Sequence, residues 1–253
     1  MKILVCIKQV PDLESKFKVN AAGTWYSDQD LAWRMNEYDE YAVEQAVQLK
    51  EQTGGELVVV CLGPERVKEP IKKALAMGAD RGVHLQDDAS HAKDPFAVAS
   101  ALAAYAQGES FDVVFTGMQS QDRGSAQVGL ILAELLGIDA VSTVVGFAYA
   151  DGAVTVRREL EGGQKAVVKV RLPALFTCQL GLNTPRYPTL PNIMKAKKKE
   201  LAVVPAAAVA SLSTTLKVAY PEKKGGALVL EGEPASLAEQ LIGLLKTKTT
   251  VLN

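Results

Sequence analysis

Over the first 140 residues short apolar runs alternate with longer amphipathic ones, and this rhythm limits the possible folds more than any other feature. KILVCIK (2–8), ELVVVCLG (56–63), RGVHLQ (81–86) and FDVVFTG (111–117) are candidate strands, mostly Val/Ile-rich and without regular polar alternation. A strand apolar on both faces is one covered on both faces, as in a parallel sheet. Between them lie helical patterns. YDEYAVEQAVQLKEQ (38–52) places Ala42, Ala46 and Leu49 on one face, with Val43 and Val47 beside it, and stops near Gly54. PERVKEPIKKALAMG (64–78) carries Pro64 in a first-turn position. DPFAVASALAAYAQG (94–108) and SAQVGLILAELLG (125–137) both close on glycine. Strand and helix in turn predict βαβ units and an α/β, doubly wound, mostly parallel sheet.

The middle of the chain is different. Asp151-Gly152 and Gly162-Gly163 separate β-rich runs, which predicts an antiparallel hairpin excursion before a last buried strand near 174–180. After Glu200 the chain is rich in Pro, Gly and Ala until a short amphipathic pattern, PASLAEQLIGLLKTK (234–248). We divide it into an α/β nucleotide-binding core over 1–205 and a C-terminal arm and helix over 206–253. The arm buries too little alone and suits a second subunit.

Several functions are set aside by composition. A net charge of −1 gives no general attraction to nucleic acid or to an anionic membrane. The apolar start, MKILVCIKQVPD, is too short for a signal peptide, and no run nears the roughly 20 residues of a membrane span. The expectation is a cytoplasmic protein. Cys6, Cys61 and Cys178 sit singly in apolar runs, so they read as small buried hydrophobes rather than a disulfide or zinc set. With only His84 and His91, a Ser/His/Asp triad or a histidine metal site has little to work with. No catalytic residue and no metal ligand is assigned.

Ligands of open α/β sheets bind beyond the carboxyl ends of the strands. Three segments leave those ends: Cys6–Asp12, Leu62-Gly63-Pro64, and GMQSQDRGSAQVG (117–129). The third has three glycines, small polar side chains and then a helix start, where free backbone N–H groups can hold phosphate. It is neither a Walker loop nor GxGxxG. Two readings stand, a phosphate cradle or an ordinary loop with an N-cap on Ser125. Arg123 is a phosphate partner or a solvated charge. Asn36, in RMNEYDEYAVE, precedes a helix, and an N-cap is the simpler reading of that stretch alone.

One further stretch, GLNTPRYPTLPNIMKAKKKE (181–200), follows a buried-looking strand with three prolines, an exposed-looking Leu190 and Met194, and four lysines in five positions. It reads as a solvated connection or as a surface made to be touched.

Taken together, ILVCIKQVPD, MNEYDEYAVEQAVQLKE, ALAMGADRGVHL, GMQSQDRGSAQVG, RRELEGG and LNTPRYPTLPNIMKAKKK resemble the electron transfer flavoprotein β subunit (the FixA family) over nearly the whole chain, loosening after about residue 205. The resemblance implies a Rossmann-like, adenine nucleotide alpha hydrolase-like core. It also implies a heterodimer with an α subunit that holds the redox-active FAD, and a structural AMP in the β subunit. The matching AMP positions are Cys6, Asn36, Glu37, Tyr38, Asp39, Leu62 and the run Gly117, Met118, Gln119, Ser120, Gln121, Asp122, Arg123, Gly124, Ser125, Ala126, Gln127 and Val128. Glu159 matches a glutamate that pairs with an arginine of the α subunit; a hairpin-tip charge is the plain alternative. The 181–199 segment matches a recognition loop for acyl-CoA dehydrogenase-like donors. Leu190 falls at its anchor and Pro191, Ile193, Met194, Lys195 and Lys198 lie around it, with Lys197 and Lys199 as further guides for an acidic partner. Electrons would pass on to a quinone-linked acceptor. The GSAQVG part of the nucleotide loop is closer to electron-bifurcating relatives, whose β subunit carries a second FAD reduced by NADH. The long motifs favour AMP.

Overall fold

The computed structural model describes residues 1–222 and 225–252. Its centre is a nine-stranded sheet. In chain order the elements are β1 (Lys2–Ile7), β2 (Gln9–Pro11), β3 (Trp33–Met35), α1 (Glu37–Thr53), β4 (Glu56–Gly63), α2 (Lys68–Met77), β5 (Arg81–Gln86), α3 (Pro95–Ala106), β6 (Val113–Gly117) and α4 (Val128–Leu136). Then follow β7 (Asp139–Ala150), β8 (Ala153–Glu159), β9 (Lys165–Val170), β10 (Ala174–Cys178), α5 (Leu190–Ala196), β11 (Leu201–Pro205) and α6 (Pro234–Lys248). The sheet order is β11-β5-β4-β1-β6-β10-β7-β8-β9, parallel from β11 to β7 and antiparallel from β7 to β9; β2 and β3 form a separate antiparallel pair.

Why the strands are apolar on both faces is plain from the two cores. Ile3, Val5 and Ile7 of β1 join one cluster with Leu57, Val59 and Cys61 of β4, packed by Ala42, Val43 and Ala46 of α1 and Ile71 and Leu75 of α2. Leu4 and Cys6 join Val58 and Val60 in the other, packed by Ala99 and Leu102 of α3 and Leu132 of α4. Helices α1 and α2 therefore cover one face and α3 and α4 the other. The chain grows outward from β1 through β4 to β5, then returns to β1's other side as β6. That reversal opens a crevice at the carboxyl ends of β1 and β6, the place where α/β sheets bind ligands.

Three elements depart from the sequence reading. The segment 181–199 is not wholly loop: Leu190–Ala196 is helix α5, with Thr189 as N-cap and Pro191 in the first turn, where a missing N–H costs nothing. LAVVP (201–205), which composition leaves in the tail, pairs in parallel with β5 as an edge strand. The helix expected from Ser125 begins at Val128. Gly124 and Ala126 both adopt left-handed φ, 59° and 53°, and a helix cannot run through them.

The first compact unit spans Met1–Val218 and the second Ala219–Asn253. Residues beyond β11 still belong to the first: Asp94 Oδ2 accepts the Leu212 and Ser213 amides at 2.8 and 2.9 Å. In the second unit α6 has the bounds its pattern predicts, with Pro234 in its first turn and Lys246 and Lys248 near its carboxyl end.

Candidate functional site

The crevice holds a cleft of about 1150 Å³ between protein atoms, open solvent at its mouth included, at the place where open α/β sheets bind ligands. Its floor is the strand ends, with Cys6 and Ile7 of β1, Leu62 of β4, and Thr116 and Gly117 of β6. One side is the loop that leaves β6, through Met118, Gln119, Ser120, Asp122, Arg123 and Ser125, and ends on Val128 and Gly129 of α4. Gly129 is needed there because a Cβ would lie 2.6 Å from Thr116 Oγ1 and 2.9 Å from Thr177 Cγ2. The N-cap of α4 is Gln127, whose side chain makes no cap bond. Its first-turn N–H groups are thus not capped by a side chain, as anion binding needs.

What holds this loop is the start of α1. Asn36 occupies the N-cap position, yet its side chain caps nothing. Its Nδ2 donates to Gln119 O at 2.9 Å and to Asp39 Oδ1 at 3.0 Å, and its Oδ1 accepts the Gln121 amide at 3.0 Å. The N-cap reading is therefore replaced by a latch on a loop 83 residues away. Glu37 and Tyr38 do not line the cleft but serve the same loop: Gln121 Nε2 donates to Glu37 Oε2 at 2.7 Å and Gln119 Nε2 to Tyr38 Oη at 3.1 Å.

Asp39 ties the three elements together. Its Oδ2 accepts the Lys8 amide at 2.6 Å and its Oδ1 the Gly117 amide at 3.1 Å. Burial pushes this carboxyl up to about 7, against the pull of Asn36, the two amides and Lys8. Lys8 points along the cleft wall, where Nζ donates to Asp122 Oδ1 and Oδ2 at 2.6 and 2.7 Å and to Ser120 Oγ at 3.2 Å. Burial lowers the ammonium's pKa and Asp122 draws it back up.

The far wall comes from the segment between β2 and β3 and from the β4 and β5 loops, and sequence reading missed it. Trp25, Tyr26, Trp33, Arg66, His91 and Lys93 line it. The Arg66 guanidinium lies 3.8 Å from the Trp33 ring centre and that of Arg123 lies 4.3 Å from Trp25. Arg123, half-buried, also donates to the His91 and Lys93 carbonyls, which ties its guanidinium to this wall. The aromatic run GTWYSDQDLAW was the available signal for this wall. Gln9 Oε1 and Arg66 Nε, both on residues that line the cleft, are buried with no partner among the described residues. An unsatisfied buried acceptor and donor beside a cleft are what a polar ligand satisfies. Gln121, Gly124, Ala126 and Gln127 do not line the cleft.

The residues expected to meet a partner, and those of the hairpin, lie elsewhere on the first unit. Leu190, Ile193 and Met194 are exposed, Leu190 to 78%. Pro191, Lys195, Lys197 and Lys198 are exposed too. Lys199 is not a free guide: its Nζ donates to Leu75 O at 3.0 Å and Ala79 O at 2.5 Å, fastening the end of α5 to α2. Glu159 ends β8, two residues before the Glu161–Gly163 tip, and its Oε2 accepts from Gln179 Nε2 at 3.2 Å.

Comparison with known proteins agrees with this architecture. The electron transfer flavoprotein domain matches residues 24–209. The chain is 39% identical to an electron transfer flavoprotein subunit beta of Syntrophomonas wolfei, over 99% of this chain and 98% of that one. It is 36% identical to the subunit beta of Bacillus subtilis over the full length of both. To that of Homo sapiens it is 38% identical over 81% of each chain.

Proposed function

We propose, from the premise that the chain belongs to the electron transfer flavoprotein β-subunit family, that it pairs with an α subunit and keeps an adenine nucleotide, AMP, in the cleft. The observation that carries the nucleotide reading is the loop after β6, held open over the strand ends by Asn36 and Asp39 and leading into the N-terminus of α4. Cys6, Leu62 and Val128 offer apolar walls to the base and sugar, and the loop amides and α4 offer donors to the phosphate. The orphaned Gln9 and Arg66 atoms fit such a ligand.

FAD, held mainly by the α subunit, supplies the electron-accepting chemistry when bound. This chain's residues bind and orient. It is a cytoplasmic carrier subunit without bond chemistry of its own. Leu190, Pro191, Ile193, Met194, Lys195 and Lys198 meet an acyl-CoA dehydrogenase-like donor, and a quinone-linked protein takes the electrons onward. One leucine buried on docking is worth about 2 kcal/mol, enough to orient a partner without trapping it. The exposed lysines speed encounter with an acidic surface. Glu159 faces the α subunit and pairs with an arginine there.

The Trp25–Tyr26–Trp33 wall favours a second reading, since it extends the cleft beyond what AMP positions require. In that reading a second FAD, reduced by NADH, occupies it. One experiment separates the two: denature the purified heterodimer and quantify the nucleotides released. One FAD and one AMP per heterodimer supports the first reading. Two FADs with NADH-dependent reduction establish the second, and one FAD with no other nucleotide refutes both.

A further inference from the structure

The segment from Gly181 to Thr189 leaves β10 and crosses α1, and two side chains fasten it there. Asn183 Nδ2 donates to Tyr41 O at 3.1 Å. Arg186 is held more firmly. Its backbone N–H and Nε donate to Glu44 Oε2 at 3.1 and 2.8 Å, and its Nη2 to Glu44 Oε1 at 3.0 Å. Its Nη1 and Nη2 donate to Glu51 Oε1 and Oε2 at 2.6 and 3.0 Å. Glu44 and Glu51 lie seven residues apart on α1, two turns along one face. One guanidinium therefore grips two carboxylates, a planar double fork that lysine cannot reproduce. The Glu44 side chain is only 4% exposed, so without Arg186 it is a buried acid lacking its cation. Both glutamates hold the guanidinium pKa above its ordinary value.

Four residues after this grip stands Leu190. At the other end of α5, Lys199 is fastened to the carboxyl end of α2. The apolar face of Leu190, Ile193 and Met194 is thus presented between two clamps, and only the first sits on the leading side of Leu190. We propose that Arg186 is a positioning residue for partner docking: gripped by Glu44 and Glu51, it sets the attitude of Leu190 without touching the partner itself. This rests on the docking reading of Leu190 given above.

The test uses the holo-heterodimer in four versions besides wild type: Arg186→Met, Arg186→Lys, Glu51→Gln and Leu190→Ala. Hydrogen exchange is read over residues 184–196. The KM and kcat for reduction by a purified acyl-CoA dehydrogenase with its acyl-CoA are read alongside. Arg186→Met is expected to raise loop exchange and to raise KM about tenfold, equivalent to about 1.4 kcal/mol, with kcat and nucleotide content unchanged. Arg186→Lys falls between, and Leu190→Ala raises KM while leaving exchange as in wild type. Loop exchange unchanged in Arg186→Met overturns the proposal, and so does an unchanged KM in Arg186→Met when Leu190→Ala raises it. An unchanged KM in both, or a wild type that does not react, overturns the docking reading and this proposal with it. Should Arg186→Met lose its fold, Glu51→Gln decides. It spares the buried Glu44 pair, and an unchanged KM there counts as refutation.

Discussion

Replacing Gly117 by alanine should empty the cleft of the nucleotide proposed for it, for a reason of space and not of backbone freedom. A Cβ at 117 would stand 2.2 Å from Asp39 Oδ1, 2.8 Å from Tyr38 Cβ and 3.2 Å from Asn36 Nδ2, whereas ordinary contact begins near 3.4 Å. The carboxylate would have to retreat by about 1 Å, and at that distance it gives up the Gly117 and Lys8 amides it now accepts at 3.1 and 2.6 Å. Overpacking a dense site costs roughly 1–3 kcal/mol and each lost bond to a charged group roughly 1.5–3. With two bonds lost, even the low end of each range sums to about 4 kcal/mol, a large part of the roughly 5–15 that a domain possesses. For a chain of this size that lowers Tm by about 10 °C. The assay is thermal unfolding of the heterodimer, paired with quantification of released nucleotide. Gly124→Ala is the control, since its Cβ would meet only Gln119 Oε1 at 3.9 Å and it suffers from φ +59° alone. That strain costs about 1 kcal/mol. If Gly117→Ala keeps its nucleotide and melts within about 2 °C of wild type, the argument that the loop is held through Asp39 is wrong.

Three more outcomes are expected. Leu190→Ala should slow electron acceptance from an acyl-CoA dehydrogenase at sub-saturating concentration by about tenfold or more, from a lost burial of about 2 kcal/mol, with the nucleotide content intact; an unchanged rate speaks against the anchor. Asp39 gives a pH signature. With its folded pKa raised from 3.8 to about 7, the native state holds a proton that the unfolded state has released, so its contribution is full below 3.8 and is lost as pH rises through about 7. Relative to Asp39→Asn, wild-type Tm should decline between pH 5 and 8; parallel curves would place the carboxyl pKa at its ordinary value. Lys8→Met should destabilise the protein by roughly 3 kcal/mol because Asp122, 6% exposed, loses its cation. Adding Asp122→Asn should recover part of that loss, and a double variant no better than the single would refute the pairing.

How much of this was legible beforehand depends on how local each feature is. The βαβ alternation is local, and the strands at 2–8, 56–63 and 81–86 appear within a residue of where their patterns put them. α6 likewise keeps its bounds, since Pro234 marks its start. Asn36 was found as a polar residue before a helix, but its role depends on residues 119 and 121, which only the fold brings near. Within Cys6–Asp12 nothing local singles out Lys8, because its partner, Asp122, is 114 positions away. The strand at 201–205 was hidden for a similar reason, its neighbour β5 being more than a hundred residues earlier. The start of α4 is not legible locally, because Ala126, a good helix former, holds a left-handed φ. A docking role for Leu190 is proposed from family likeness, whereas the grip on Arg186 is visible only in the geometry of α1.

Helix α1 acts as a ruler. Its first turn holds the loop after β6 through Asn36 and Asp39, and its next turns hold the segment before α5 through Glu44 and Glu51. Each residue of an α-helix adds about 1.5 Å and about 100°. A single insertion between Asp39 and Glu44 would leave the helix intact, hydrogen-bonded and amphipathic in composition. Yet it would turn every later side chain by more than a quarter circle, carrying both glutamates away from Arg186. Point changes on the solvent side of this helix are cheap, and a change of length is not. The spacing between the two grips is thus a dimension of the molecule, set in whole residues.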